Sequence, residues 1–177
     1  MTIINQISVG LLSILCLGCS AQSSKTKEEL NCSKVEIASE TEYFGDNTSI
    51  AKNFSEFNSS NNSLDIIRII SKTGYDRQEK FMRVYVKDGK VYFSENGETK
   101  ERTIDPKKLT DIFEDCDGKN IMITCGQRKS QSTICRLFVK KGNKVVMTFT
   151  SNASINDINK NLIAKEIKYF EYLDTMR

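Results

Sequence analysis

From Ile66 to Ser151 the chain is a succession of short apolar runs cut by turn signals. Runs rich in Ile, Val, Tyr and Phe at 66–71, 80–87, 90–95 and 99–104 read as strands. Thr73-Gly74, Asp88-Gly89 and Asn96-Gly97 separate them. The last two dipeptides favour the positive φ angles of tight hairpin turns. Ile66, Ile67, Ile69 and Ile70 also suit one buried helix face, so that first run stays ambiguous.

A helical pattern follows. Asp105 is a good N-cap and Pro106 suits the first helical position. Leu109, Ile112, Phe113 and Cys116 then fall on one face, and Gly118 is a natural stop. Three further strands are predicted at about 119–126, 132–140 and 144–151. A three-residue Lys141-Gly142-Asn143 loop sets Val139 opposite Val145, Leu137 opposite Met147 and Cys135 opposite Phe149. A two-residue Gly142-Asn143 turn pairs Leu137 with Thr148 instead, and the apolar match favours the longer loop. Ile155, Ile158, Leu162, Ile163, Ile167, Phe170 and Leu173 form a wide apolar stripe that predicts one amphipathic helix over 155–173. The fold class expected is α+β: a mostly antiparallel sheet of meandering hairpins, a mid-chain helix and a packed C-terminal helix.

Two segments break this pattern. Ten of the eighteen positions in 46–63 are Asn or Ser, which predicts an exposed loop with a weak helix around Ile50–Phe57. Tyr43, Phe44, Phe54 and Phe57 lie in or near it, either pinning the loop to the core or standing out as anchors for a partner. Residues 20–30 are polar and charged and read as a tether.

The N-terminus is apolar from Ile7 to Leu17, too short to span a bilayer and about the length of a signal-peptide core. No charged side chain occurs before Lys25. The run ends at Leu17-Gly18-Cys19, followed by Ser20-Ala21-Gln22. In Gly18 and Cys19 the segment resembles the precursor of a bacterial lipoprotein. That resemblance implies cleavage before Cys19, lipidation of Cys19, and anchoring to a membrane of the bacterial cell envelope on its periplasmic or surface side, most simply the outer membrane. It divides the chain into a signal peptide (1–18), a lipidated tether (19–30) and one α+β domain (31–177). Cys19-Ser20-Ala21 also fits a general signal-peptidase site, and the segment fits an uncleaved N-terminal helix.

Cleavage at Cys19 leaves Cys32, Cys116, Cys125 and Cys135. An even number in an exported domain predicts two disulfides, with three possible connectivities. These four form no C-x-x-C, so they offer neither a thioredoxin-like motif nor zinc-ribbon spacing. Alternation puts Cys125 on the face of Ile121 and Ile123, and Cys135 on the face of Leu137 and Val139. A hairpin between these segments favours a Cys125–Cys135 bridge. Cys32 then pairs with Cys116, closing a loop of about 85 residues and stabilising by roughly 4–5 kcal/mol.

Composition narrows the chemistry. The 177 residues carry 26 Lys+Arg and 23 Asp+Glu, a formal net charge of +3 that gives no reason to expect a nucleic-acid partner. There is no His, which excludes Ser-His-Asp and Cys-His catalysis and any His-ligated metal. Glu114-Asp115-Cys116-Asp117-Gly118 fails as a calcium loop, because Phe113 and Thr124 fall where key carboxylates belong. No residue is nominated as catalytic, none as a metal ligand, and no cofactor is expected. Arg128-Lys129 and Lys140, Lys141 and Lys144 form basic groups near hairpin loops, either solvated or docking an acidic partner or anionic lipid head groups. The reading that follows is a non-enzymatic, membrane-anchored protein-binding module, of the kind that acts as an immunity or inhibitor protein in the envelope. The alternatives are a lipoprotein binding a small lipid or glycan, with an apolar pocket of about 300–1,000 Å³ between sheet and C-terminal helix, and a structural envelope component.

Overall fold

The computed structural model describes residues 30–36, 48–72, 78–126 and 133–177. The signal segment, Cys19 and the tether up to residue 29 lie outside the described residues, as do Tyr43, Phe44, Arg128 and Lys129. In chain order the elements are β1 (Cys32–Glu36), α1 (Thr48–Ser59), β2 (Leu64–Lys72), β3 (Gln78–Lys87), β4 (Lys90–Glu95), β5 (Glu98–Arg102), α2 (Pro106–Ile112), β6 (Lys119–Cys125), β7 (Thr133–Lys141), β8 (Lys144–Ser151) and α3 (Ile167–Thr175). The fold is broadly α+β and mostly sheet.

One eight-stranded sheet runs in the order β1-β6-β8-β7-β2-β3-β4-β5. Every pairing is antiparallel except β6 with β8, which is parallel. Strands β2 to β5 form the expected meander. Asp88 (φ 50°) and Gly89 (φ 71°) turn its second hairpin, and Asn96 (φ 51°) and Gly97 (φ 94°) turn its third. Positive φ at both central positions matches the right-handed twist of the flanking strands.

The predicted hairpin of 121–125 with 135–139 does not form. β8 lies between β6 and β7, with Ile121 opposite Phe149 on one side and Leu137 opposite Phe149 on the other. The β7–β8 turn also differs from the expectation. It is the two-residue Gly142-Asn143 turn, with Lys141 opposite Lys144. A register shift between Val139 and Lys140 then leaves Val146 unpaired as the extra residue, so Val139 faces Met147 and Leu137 faces Phe149. The bulge restores the apolar parity that the short turn alone destroys.

The inner face carries Leu64, Ile66, Val84, Phe93, Leu137, Met147 and Phe149, which join Leu109, Phe113, Ile163, Tyr169, Phe170 and Leu173 in the main core. On the outer face Ile67, Ile69, Phe81 and Phe138 meet Ile50, Phe54 and Phe57 of α1. Strand β2 is therefore buried on both sides, which accounts for the unbroken Ile66–Ile70 run.

The C-terminal stripe is buried as expected, but not as one helix. Residues Ile155–Asp157 form a 3-10 turn, Ile158 is extended at φ −87° and ψ 139°, and the α-helix is only Ile167–Thr175. The Asn161 amide donates to Asn159 Oδ1 at 2.8 Å, a side-chain turn that competes with helix propagation.

Candidate functional site

Alternation along β3 puts Phe81, Arg83 and Tyr85 on the outer face. Phe81 lies in the α1 cluster, whereas Arg83 and Tyr85 border an open recess at the C-terminal end of α1. Register places Lys140, Asp65, Tyr85, Tyr92 and Glu101 side by side in a row across five strands. Asp65 is fully buried. Its Oδ1 accepts from Arg83 Nε at 2.9 Å and its Oδ2 from Arg83 Nη2 at 2.7 Å, a bidentate pair. Ser60 Oγ and Asn62 Nδ2 also donate to Oδ2, at 2.8 and 2.9 Å. Burial works against the Arg83 charge, but the hydrogen bond and charge of Asp65, with Glu56 3.3 Å away, outweigh it and raise its pKa. The guanidinium lies 4.8 Å from the Tyr85 ring centre, and Tyr85 stacks on Tyr92 at 5.1 Å. Burial is also the main cause that raises the Tyr85 pKa.

Lys140 ends the row. It is 2% exposed, and its Nζ donates to the carbonyls of Phe57, Asn58 and Ser60 at 2.8, 2.7 and 2.5 Å. The ammonium thus satisfies acceptors at the negative end of α1. Burial lowers its pKa, with Asp65 acting in the opposite direction. Above this buried network lies an open cleft of about 660 Å³, lined by Glu56, Asn62, Arg83, Tyr85, Lys87 and Asp88 among others. It offers hydrogen-bond donors and acceptors around the edge of an aromatic pair, while the charges beneath it neutralise one another. That chemistry suits a polar surface rather than an apolar molecule.

The cysteines are arranged differently from the predicted pairs. Cys32 and Cys125 form the disulfide, at directly opposed positions of β1 and β6 with Cα atoms 4.0 Å apart. Cys116 and Cys135 are buried free thiols. The Cys125–Cys135 and Cys32–Cys116 pairs fail because β8 intervenes between β6 and β7, and because β1 completes the other side of β6. The Cys116 Sγ donates instead to the Phe113 carbonyl at 2.8 Å. Burial pushes the Cys135 thiol up to about 11, against the opposing charge of Arg68.

The basic group at 140–144 also disperses. Lys140 is inside, Lys141 bonds the Glu114 carbonyl at 3.1 Å and pairs with Asp117 at 3.3 Å, and Lys144 is exposed at the turn. Phe54 and Phe57 are buried, with Phe54 edge-on to Phe138 at 4.9 Å, so they pin α1 rather than wait for a partner. Asp115 pairs with Lys168 at 3.0 Å, and Asp117 with Lys141. Among the described residues no group of three His, Cys, Asp or Glu could hold a metal ion, and no helix is long and apolar enough to cross a membrane. Sequence reading missed the Asp65–Arg83 pair and the Lys140 cap. The available signal was a charge flanked by apolar residues in Leu64-Asp65-Ile66 and Met82-Arg83-Val84; Lys140, followed by Lys141 and Gly142, gave none.

Comparison with family models, with curated proteins and with solved structures finds no match.

Proposed function

We propose that the chain is a protein-binding module of the bacterial cell envelope, held to the membrane by a lipidated Cys19 and acting as an immunity or inhibitor protein. One observation carries the choice of a protein over a small molecule. The space between the sheet and the C-terminal segment is filled by side chains. Phe149 packs edge-on to Phe170 at 5.0 Å, and Phe113 stacks on Tyr169 at 4.9 Å. The recess left beside α3, next to Arg68 and Cys135, measures only about 80 Å³, far below the roughly 300 Å³ at which ligand pockets begin. The larger recesses among the described residues are open and lie on the surface. Such surfaces recognise another surface better than they enclose a lipid.

The resemblance of the N-terminal segment at Gly18 and Cys19 to lipoprotein precursors supports the location, and the Cys32–Cys125 bridge suits an oxidising compartment. The test is capture of partners by the purified, oxidised chain from envelope and secreted fractions, followed by assay of the captured protein. The reading expects a stoichiometric partner whose activity falls when the chain is bound. A retained lipid or glycan with no protein partner would transfer the assignment to a ligand carrier.

A further inference from the structure

The end of the sheet opposite β1 carries a second open recess, of about 380 Å³, lined by Phe93, Glu95, Glu98, Lys100, Arg102 and Arg177 among others. Register makes this grouping. Phe93 faces Lys100 across β4 and β5, and Arg102 lies two residues further along the same face. The Arg102 guanidinium is stacked 4.9 Å from the Phe93 ring centre, and Phe93 is itself buried. That stacking holds the arginine in place before any ligand arrives. Arg177 approaches Glu95 at 3.5 Å and Asp174 at 3.9 Å, and Lys100 approaches Glu98 at 3.4 Å. The lysine pair is solvent-exposed and the arginine pairs are partly so, and such pairs are weak. Arg102 has no carboxylate partner among the described residues, and its buried Nε makes no hydrogen bond there. Three cations thus line one recess, two in exchangeable surface pairs and one unpaired.

From this we infer that the recess receives a carboxylate side chain from an acidic segment of the protein partner. The inference rests on the protein-binding reading and names the chemistry of the partner. A planar, pre-positioned guanidinium is the group best suited to a carboxylate, and arginine is enriched among the residues that dominate interfaces. A phosphate on the anchoring membrane would present similar chemistry; the carboxylate is chosen because the chain is read as protein-binding, and the recess lies seven strand spacings from β1, about 34 Å along the sheet.

The test uses the full chain in mild detergent and two end-blocked ten-residue peptides, one alternating threonine and glutamate, the other threonine and glutamine. The glutamate peptide should bind at least about tenfold more tightly, and added salt should weaken it. Arg102→Gln should weaken it about tenfold. Arg177→Gln, at a side chain that is 36% exposed, should weaken it in the same direction. Lys52→Gln, on the exposed side of α1, should leave it unchanged. No binding, equal binding of both peptides, or binding that survives both arginine substitutions overturns the inference. So does binding to anionic vesicles, or a dimer, that Arg102→Gln abolishes, because the occupant is then a lipid surface or a second copy. If a captured partner holds wild type and Arg102→Gln equally, the protein-binding reading stands and this site falls. If neither partner nor peptide binds, both fall.

Discussion

Removing Asp65 tests the buried network most sharply. Asp65→Ala takes away a fully buried carboxylate that accepts four hydrogen bonds, two of them from Arg83. The Arg83 side chain is 8% exposed and is left with Glu56 alone, at 3.3 Å and itself 53% exposed. Removing one member of a buried pair destabilises by roughly 3–5 kcal/mol, because the other charge stays inside uncompensated. The Glu56 contact puts the expected loss near the lower end, about 3 kcal/mol. Arg83→Met should cost a similar amount by stranding Asp65. Replacing both, as Asp65→Leu with Arg83→Met, removes the stranded charge and should cost less than either single change. The assay is urea unfolding at pH 7, read by circular dichroism. With a slope of about 2 kcal/mol per molar urea, each single variant should lose about 1.5 M in its midpoint. The reasoning is refuted if either single change costs under about 1 kcal/mol, or if the double variant loses the sum of the two.

Three further outcomes follow from the same structure. Thiol titration of unfolded, unreduced residues 25–177 should find two thiols, Cys116 and Cys135, rising to four on reduction; a count of zero before reduction would restore the two-bridge arrangement. Cys32→Ser should free β1 from β6 and lower stability by about 4–5 kcal/mol, as expected for a bridge closing a long loop, with a drop in the urea midpoint as the readout. Burial holds the Cys135 proton to about 11 against an ordinary value of 9.0, so the folded state keeps that proton while the unfolded state loses it. The contribution is full below pH 9 and lost as pH rises toward about 11, amounting to about 2 kcal/mol. Lys140, lowered by burial, acts in the opposite sense. The comparison is therefore wild type against Cys135→Ala across that range, and parallel curves would contradict it.

Local chemistry was the part of this fold most legible in the residues. Asp88-Gly89 and Asn96-Gly97 turn where their conformational preferences require, and Asp105 caps α2 by accepting from the Lys107 amide at 2.9 Å. Non-local pairing was not legible. Nothing near Lys119–Cys125 announces a parallel neighbour, because β7 has β2 on its other side and only β8 offers a free edge, an arrangement set by distant strands. That one decision separated Cys125 from Cys135 and gave it to Cys32. Lys140 read as a solvated turn residue because its neighbours Lys141 and Lys144 are. The bulge at Val146 and the arrival of the α1 carbonyls above the strand put it inside instead. The same holds for the sites. The cleft at Arg83 exists only where α1, the 60–63 segment and β3 come together, and that at Arg102 only where β4, β5 and Arg177 do, so their residues carry no motif.

Native mass spectrometry of the protein released from envelope membranes tests the central claim most directly. The expected species is a chain beginning at Cys19 with added acyl mass, released as a complex with a second protein and carrying one internal disulfide. A chain that retains residues 1–18, or one released with a bound small molecule and no protein partner, would contradict it.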